Sequence, residues 1–491
     1  MERYWHWSDR LADQLLELNK DRYVITAGIT PSGPVHLGSV CEFLFPEAIY
    51  RVLKLKSNKE VKMYFIVDVL DALDSITADL QDYSDIINED MGKPLKLARD
   101  PKGEFRSYAE RYVNELRYVM SKFKVHLELV EVSDMYDQGL FDKYTLIYLQ
   151  NIDKVKEIIQ NTSGRELPKD WNPVMPICSK CNRIDLTRVI AYDARTGDYE
   201  YICNSCGNRE KTNIREHRYK LQWRLHWPSW QAIMNSDIEG GGVDHFTKGG
   251  SRDTAVRIHT EILGRNPPIG YKYGFVLLDG KKYSKSKGIG MYVRDMIELI
   301  PTEIIAYHLL KYDLEENIDF NPTKEKILGM IEDFEDAAKI MPSDSLTRGD
   351  RKRYSAFRLF GRHPKVAFKE MLLYYSIYRD WNRVKIHIPI DEYYTGFIEN
   401  WYRKEFVPDD YDFSYKPKKI DRFRDLIESW KPGMSALDIH NSVYDYAQKK
   451  GVAANEIFRY LYNHLIAKDR GPRLGKLVYA LGVERVKSDI L

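Results

Sequence analysis

A turn rich in glycine and proline separates a predicted buried strand from a predicted helix near the start of this chain. Residues 23–27 form a short apolar run, the turn occupies residues 28–39, and residues 39–54 carry apolar side chains at helical spacing. Residues 61–70 form a second apolar run. Short apolar runs of this kind are typical of strands buried on both faces of a parallel sheet. The order strand, turn, helix, strand therefore predicts a right-handed crossover and an α/β fold.

The turn has the features of an anion-binding site. Gly33 and Gly38 allow a ligand to approach the backbone closely, and the helix that begins near Leu37 directs its free N–H groups at the turn. A helix N-terminus favours an anion by about 0.3–1 kcal/mol, and His36 can donate a hydrogen bond to a phosphate oxygen. For a motif this short, the alternative is a plain turn with an incidental histidine.

A basic segment much later in the chain completes the pattern. Lys282 and Lys285 alternate with Ser284 and Ser286, soon after an apolar run at residues 274–278 that we expect to complete the interrupted sheet. Lysine ammonium groups suit β- and γ-phosphates, and they would stabilise charge that develops on a pyrophosphate leaving group. Alone, this segment could equally be a solvated basic loop. The position of both segments at strand ends favours one shared nucleotide site.

Four of the five cysteines form two CxxC pairs on either side of residues 182–202. They are Cys178, Cys181, Cys203 and Cys206. Thiolates at this spacing predict a tetrahedral site with Zn–S distances of about 2.3 Å. Because four cysteines leave no open coordination position, we expect a structural zinc that folds a small unit at about residues 171–211. The fifth cysteine, Cys41, is expected to pack within a helix.

The length and charge of the chain bound its class. A chain of 491 residues predicts three or four domains. With 75 basic and 73 acidic side chains the net charge is +2, which argues against a basic surface throughout but allows a local basic groove. There is no secretory signal and no apolar stretch of roughly 18 residues. We therefore expect a soluble, cytoplasmic protein without a membrane span.

Helical patterns account for most of the remaining chain. We expect helices at residues 10–20, 108–160 and 254–263, a glycine-rich loop at 240–250, and an all-α region from about residue 291. The densest basic patch of that region, at residues 416–424, is better explained as a solvated face than as a binding site.

The two motifs resemble the HIGH and KMSKS signatures of class I aminoacyl-tRNA synthetases. Residues 36–39 correspond to the first signature and residues 282–286 to the second. Further segments resemble one family of that class, the archaeal-type class I lysyl-tRNA synthetases, which are found also in some bacteria. These segments are residues 28–38, 107–110, 171–173, 178–184, 220–224 and 227–228. It extends to about residue 322. This chain has Ser39 where the family often has Asn and Tyr283 where it has Met, and its acidic segment 68–74 is looser than the family pattern.

The resemblance implies ATP-dependent activation of L-lysine to lysyl-adenylate and transfer to tRNA(Lys), with Mg²⁺ accompanying ATP. The implied ATP-binding residues are His36, Gly38, Ser39, Lys282, Ser284, Lys285 and Ser286. The implied lysine-binding residues are Gly28, Thr30, Trp223 and His245. We add Tyr273, and also Asp244, which lies in the loop after glycines 240–242, as further candidates. Trp223 and Tyr273 suit the aliphatic stem and offer π faces to a cation. A buried ammonium also needs an acidic partner, and the candidates are Asp68, Asp71 and Asp74.

The expected architecture is a Rossmann-like parallel-sheet catalytic domain with a zinc-binding insertion, followed by an all-α C-terminal region. We divide it into a first catalytic half (1–105), an insertion (106–219), a second catalytic half (220–295), a helical connecting domain (296–360) and an α-helical anticodon-binding region (361–491). Tyrosine and tryptophan side chains in the last region could stack on unpaired bases.

Two alternatives stay open from sequence. A glutamyl-type class I synthetase would want an arginine for the substrate side chain, and residues 28–39 contain none. A catalytically inactive zinc-containing RNA-binding protein would not need His36, Lys282 and Lys285, which are all present. The sequence predicts neither the oligomeric state nor whether tRNA is required for the first step.

Overall fold

The chain folds into two units, the first of which is built on a parallel sheet. The computed structural model describes residues 5–278, 280–282 and 291–491, Lys282 by its backbone alone. The first unit runs to Ile297 and adds Ile305–Asn321 and Pro342–Phe360; the second comprises Glu298–Ile304, Pro322–Met341 and Gly361–Leu491.

The strands and helices are numbered along the described chain. The strands are β1 (Arg22–Ile29), β2 (Glu60–Val67), β3 (Glu128–Glu131), β4 (Val174–Pro176), β5 (Thr187–Tyr192), β6 (Asp198–Cys203), β7 (Arg209–Asn213), β8 (Tyr219–Leu221), β9 (Ile238–Gly242), β10 (Ile269–Tyr273), β11 (Val276–Leu278), β12 (Lys281–Lys282) and β13 (Ile318–Asp319). The α-helices up to residue 310 are α1 (Trp7–Leu16), α2 (Leu37–Lys56), α3 (Ser84–Asp90), α4 (Tyr108–Phe123), α5 (Val132–Asp137), α6 (Asp142–Gln150), α7 (Ile152–Ser163), α8 (Trp223–Met234), α9 (Ser251–Arg257), α10 (Val293–Met296) and α11 (Thr302–Leu310). The later α-helices are α12 (Lys324–Ala337), α13 (Arg348–Phe360), α14 (Phe368–Tyr378), α15 (Trp381–His387), α16 (Glu392–Arg403), α17 (Arg424–Ser429), α18 (Ala436–Lys450), α19 (Ala454–Ile466), α20 (Leu474–Leu481) and α21 (Val483–Ile490).

The central sheet has the order β10-β9-β1-β2-β3 within the described residues, and every neighbouring pair is parallel. β1 and β2 run in register from the pair Arg22 and Glu60 to the pair Ile29 and Val67. The interior of β1 is buried on both faces, and α2 connects β1 to β2 and packs on β1. The predicted parallel α/β fold is confirmed.

Several predicted elements differ from the structure. β3 lies where only helices were expected, because its four residues are exposed or half-buried and give no apolar run. β9 and β10 complete the central sheet, whereas residues 274–278 contribute β11 to a separate sheet with β12 and β13. The glycine-rich stretch at 240–250 begins inside β9, and the helix expected at 254–263 is α9 followed by a π-helical turn at Ile258–Ile262.

The insertion is closed at its base by an antiparallel pair of strands. β4 pairs with β8, Val174 opposite Leu221 and Pro176 opposite Tyr219. Beyond this pair, β5, β6 and β7 form an antiparallel sheet that carries the cysteines. The chain therefore enters and leaves the small cysteine unit, predicted at about residues 171–211, on two strands that lie side by side within the first unit.

The second unit is helical throughout its described residues. Trp401 and Trp430 are fully buried in it, and their indole nitrogens donate to Leu299 O (2.8 Å) and Ser442 Oγ (2.9 Å). Ser435 and Asp438 form a capping box at the start of α18, which satisfies free N–H groups of the first turn. The predicted all-α C-terminal region is confirmed. Within the part of the chain that the structure describes, no helix is long and apolar enough to cross a membrane.

Candidate active site

The carboxyl ends of the parallel strands meet around a cavity of about 290 Å³. Gly28 in β1, Thr30 just beyond it, Asp68 after β2 and Glu239 in β9 all line this space. In open parallel sheets, ligands bind at this edge because the loops there diverge. We call this space the first cavity.

Two of the glycines in this region are required by close approaches. A Cβ on Gly28 would lie 2.9 Å from Ile66 O and 3.2 Å from the Trp230 ring. A Cβ on Gly240 would lie 2.2 Å from the Tyr271 ring. Any side chain at either position would displace a strand or an aromatic ring, so both residues shape the cavity by having none.

Three tryptophans of α8 form one wall of the first cavity. Trp223, Trp227 and Trp230 are spaced at i, i+4 and i+7, which places them on one face of the helix. The rings of Trp223 and Trp227 stack at 5.7 Å, and the His245 ring lies 5.7 Å from both. The wall is aromatic, and it suits an aliphatic chain that ends in a cation.

The loop after β9 is held in place by the start of α8. The Arg224 guanidinium donates to the carbonyls of Gly249 and Gly250, both at 3.0 Å, and Trp223 Nε1 donates to Ser251 Oγ at 3.0 Å. A Cβ on Gly250 would lie 2.5 Å from His245 O. Arg224 therefore fixes the turn against which the backbone of His245 packs.

A buried carboxylate lies beneath the tryptophan wall. Glu239 is 2 % exposed; its Oε1 accepts hydrogen bonds from Trp227 Nε1 (3.0 Å) and Trp230 Nε1 (3.1 Å), and its Oε2 accepts from Thr26 Oγ1 (2.8 Å). Burial raises the pKa of Glu239, although these hydrogen bonds oppose the shift. Among the described residues it has no ion-pair partner, so a cation bound in the cavity would compensate its charge.

The other acidic side chains differ in their partners. Lys220 pairs with Asp68 (2.7 Å, Nζ to Oδ2) and with Asp71, and Thr30 Oγ1 donates to Asp71 Oδ2 at 2.7 Å. Asp74 is exposed, bonds the neighbouring Ser75 and does not line the cavity.

A second cavity, of about 260 Å³, adjoins the first at Glu42 and His245, which line both. His36, Gly38, Asp244 and Tyr273 are among its other lining residues. His36 is the N-cap of α2, and its Nδ1 accepts a hydrogen bond from the Ser39 N–H at 3.2 Å. The proton of the neutral ring therefore sits on Nε2, where it can be donated to a ligand. Tyr273 donates its hydroxyl to Glu42 Oε2.

The structure describes all of the first motif but only the start of the second. Gly38 is tied to His36, because a Cβ on it would lie 2.9 Å from the imidazole. Ser39 is buried and touches His36 through its backbone N–H without lining either cavity. For the second motif the structure describes only the backbone of Lys282, in β12; Ser284, Lys285 and Ser286 lie outside the described residues.

The four paired cysteines come together on two similar loops. Their sulfurs lie within 4.8 Å of one another, and the pairs Cys178–Cys206 and Cys181–Cys203 are each 3.6 Å apart. A tetrahedral zinc with Zn–S bonds of about 2.3 Å would place its sulfurs about 3.8 Å apart. Each loop turns through a left-handed residue directly after its second cysteine, Asn182 or Gly207. The donor set and its spacing fit a four-thiolate metal site.

Comparison with known proteins settles which family this site belongs to. The family model for "tRNA synthetases class I (K)" matches residues 5–360, a stretch that contains both cavities and all five cysteines. The chain belongs to the class I lysyl-tRNA synthetase family. The predicted family is confirmed, as is the Rossmann-like α/β fold.

The family's members match over the whole chain. The lysine–tRNA ligase of Archaeoglobus fulgidus is 31% identical over 99% of this chain and 99% of its own length. That of Thermoplasma acidophilum is 29% identical over 99% and 98%. Among solved structures, the glutamate-tRNA synthetase of Elizabethkingia anophelis matches 95% of this chain and 98% of its own at 14% identity and a TM-score of 0.39, which is too distant to bear on the site.

The structure brings most of the predicted site residues to this edge of the sheet. Gly28, Thr30, Trp223 and His245 share the first cavity, while His36, Gly38, Asp244 and Tyr273 line the second. Sequence reasoning assigned no role to Glu42, Lys220, Trp227, Trp230 or Glu239. Helical spacing could have found Glu42, which is four residues from Gly38. It could also have found the two tryptophans, since Trp227 is four residues from Trp223. Nothing marked Glu239, because no strand was expected at residues 238–242, of which 240–242 were assigned to a loop.

Proposed function

We propose that the chain is a lysine–tRNA ligase, which activates L-lysine with ATP and transfers the lysyl group to tRNA(Lys). The observation that carries the proposal is the tryptophan wall above Glu239, a buried carboxylate that has no ion-pair partner among the described residues. A lysine side chain supplies both the aliphatic stem for the wall and the missing positive charge. Relatives that carry the name lysine–tRNA ligase match essentially the full length.

Glu239 and Glu42 divide the two ammonium groups of the substrate between them. Glu239 lines the first cavity only, so it accepts the ε-ammonium at the far end of the side chain. Glu42 lies where the two cavities join, so it accepts the α-ammonium. The α-carboxylate of lysine then points into the second cavity, where the α-phosphate of ATP must lie.

The chemistry of the first step needs positioning and charge stabilisation. A carboxylate oxygen of lysine attacks the α-phosphorus in line, the bond to the bridging oxygen breaks, and pyrophosphate leaves with Mg²⁺. His36 Nε2–H and the free N–H groups at the start of α2 donate to phosphate oxygens. Lys282 and Lys285 stabilise the charge on the leaving pyrophosphate.

In the second step a terminal hydroxyl of tRNA attacks the lysyl carbonyl and AMP leaves. We assign the anticodon to the helical C-terminal region. An exposed aromatic cluster supports this assignment: the rings of His440, Tyr444 and Phe458 lie 5.0–5.6 Å apart, and Tyr444 is 51% exposed. Burial lowers the pKa of the His440 ring, and the nearby Arg473 charge lowers it further. Rings with a cation beside them suit stacked, unpaired bases.

The metal of the cysteine cluster is proposed to be zinc in a structural role. Cys178, Cys181, Cys203 and Cys206 would hold it, and it would supply folding energy to the insertion rather than chemistry. The five-part division of the chain and a cytoplasmic location remain part of this proposal.

A pyrophosphate-exchange assay with lysine, run with and without tRNA, tests the function. Lysine-dependent exchange is expected in the presence of tRNA, and no exchange with glutamate. The glutamyl alternative would need a free cation in the first cavity, whereas Lys220 is paired with two aspartates. Absence of lysine-dependent exchange in the presence of tRNA would contradict the proposal, and exchange with glutamate would select the alternative.

A further inference from the structure

The backbone of the glycine- and proline-rich turn is held from outside the turn just before His36. Val35 is 4% exposed, and the preceding residue, Pro34, has no N–H of its own. A buried backbone N–H needs an acceptor, and that of Val35 donates to Glu115 Oε1 at 2.9 Å. The carbonyl of Val35 accepts a hydrogen bond from the Val293 N–H at 3.0 Å. Both peptide groups that flank the Cα of Val35 are therefore anchored.

These anchors come from two helices of the first unit. Glu115 lies on α4, and Val293 is the first residue of α10, which is the first described helix after the second motif. Tyr108 lies seven residues before Glu115, on the same face of α4, and its hydroxyl donates to Ser32 O at 3.3 Å. The helix α4 therefore holds the turn at two points, one on each side of Gly33.

The contact depends on the acceptor oxygen of Glu115 rather than on its charge. Burial raises the pKa of Glu115. The Val35 N–H and the nearby Arg294 charge oppose this shift, whereas the charges of two aspartates, Asp79 and Asp295, add to it. What the Val35 amide requires is an acceptor oxygen, which a carboxylate and a carboxamide side chain both provide.

The anchored peptide is the one that carries the histidine of the first motif. His36 is the N-cap of α2, and its Nδ1 accepts the Ser39 N–H at 3.2 Å, so its Nε2–H can be donated to a phosphate oxygen. The direction of this N–H depends on the peptide group that joins Val35 to His36. We propose that Glu115 is a positioning residue for lysyl-adenylate formation: it fixes the Val35 amide and so directs His36 at the phosphates of ATP. This inference rests on the proposed function.

Replacement of Glu115 by leucine removes the acceptor and keeps a side chain of similar size. The Val35 N–H is then buried without a partner, and the turn is expected to shift. In lysine-dependent pyrophosphate exchange with tRNA present, kcat should fall about 10- to 100-fold, since a small misplacement of a group at the reacting centre costs this much. KM for lysine should not change, because the first cavity keeps its lining. Glu115→Gln keeps an acceptor oxygen, so its kcat should stay close to the wild-type value.

A double-variant cycle separates positioning from a general loss of stability. If Glu115 acts through His36, the loss caused by Glu115→Leu should be much smaller in a protein that already carries His36→Ala. A purely structural effect would lower the activity of both backgrounds by the same factor. The matched control is Tyr112→Phe, which removes a buried hydroxyl that contacts Thr77 from the same face of α4; its kcat should not change.

The proposal is overturned if Glu115→Leu keeps the wild-type kcat, if Glu115→Gln loses as much activity as Glu115→Leu, or if the losses from Glu115→Leu and His36→Ala multiply in the double variant. If Glu115→Leu does not fold, Glu115→Ala takes its place, with added formate as the missing acceptor. A kcat that rises with formate then supports the proposal, and one that does not rise overturns it. Failure of the wild-type protein to activate lysine is a separate result that removes the proposed function.

Discussion

Replacement of Glu239 by glutamine tests how the site recognises a cation. The substitution keeps the shape of the side chain and removes its charge beneath the tryptophan wall. An ammonium about 3 Å from this carboxylate is attracted by about 5 kcal/mol at an effective dielectric constant of about 20. The desolvation of the two ions offsets part of this attraction. The variant is therefore expected to lose about 3 kcal/mol of binding free energy, which raises KM for lysine about 100-fold. KM for ATP should change little.

The same substitution, Glu239→Gln, should not lower the stability of the unliganded protein. Because burial raises the pKa of Glu239, its charged form costs folding free energy at neutral pH, and this cost disappears as the pH falls through the raised pKa. Unliganded Glu239→Gln should therefore be at least as stable as the wild type at pH 7, and the two should converge in acid. Thermal unfolding across pH measures this.

The pH dependence of lysine binding gives a third readout. The ε-ammonium binds the charged form of Glu239, so wild-type affinity should fall as the pH drops through the raised pKa, while the affinity of Glu239→Gln is weak throughout. All other groups of the site are the same in the two proteins, so the difference between the two profiles isolates Glu239. Tryptophan fluorescence can follow binding, since three indoles line the cavity. Equal affinity of the two proteins for lysine at pH 7 would refute the assignment.

Three further predictions concern other parts of the chain. Gly240→Ala should displace the Tyr271 ring, since its Cβ would lie 2.2 Å away, and should lower the stability by about 1–3 kcal/mol of overpacking and raise KM for lysine; an unchanged KM would contradict the close approach. Cys203→Ser should abolish a stoichiometric metal, measured by elemental analysis, and lower the melting temperature, with Cys41→Ser as the control that keeps the metal; a variant with full metal content would exclude four-thiolate binding. Tyr444→Ala should raise KM for tRNA about tenfold through the loss of about 1–3 kcal/mol of stacking and leave lysine-dependent pyrophosphate exchange intact; unchanged aminoacylation kinetics would remove the aromatic cluster from the tRNA-binding surface.

The parallel core was predictable because its strands are apolar on both faces. Residues 23–27 and 65–67 are buried throughout, so no solvent-facing side interrupts the pattern there, and they lie in β1 and β2. β3 and β9 escaped prediction for opposite reasons. β3 is a short edge strand with half-buried side chains, and β9 is a strand of glycines whose missing side chains are replaced by the rings of neighbouring residues. Pattern reasoning finds strands through their own side chains and misses those whose space is filled by others.

In the candidate site, too, some residues were predictable from the sequence and others were not. His36 and Gly38 were found because a phosphate-binding turn has local sequence requirements, and Trp223 and His245 because they resemble a family. The local sequence does not indicate which carboxylate binds the substrate. Asp68 and Asp71 are close to Lys220 only in space, and Glu239 gains its donors from α8 and β1. Ion pairing between distant segments decides the chemistry of the pocket, and spacing along the chain does not carry that information.

The β4–β8 pair limits how much of the chain would unfold if a metal were lost from the four cysteines. Closing a loop costs entropy that grows only slowly with length, by about 0.6 kcal/mol for each doubling, and the strand pair has already brought residues 174–176 and 219–221 together. A metal bound by the four cysteines would therefore close only the inner loop between the two cysteine pairs. Its release would unfold that loop without separating β4 from β8, so the insertion can lose its order while the strand that carries Lys220 stays in place.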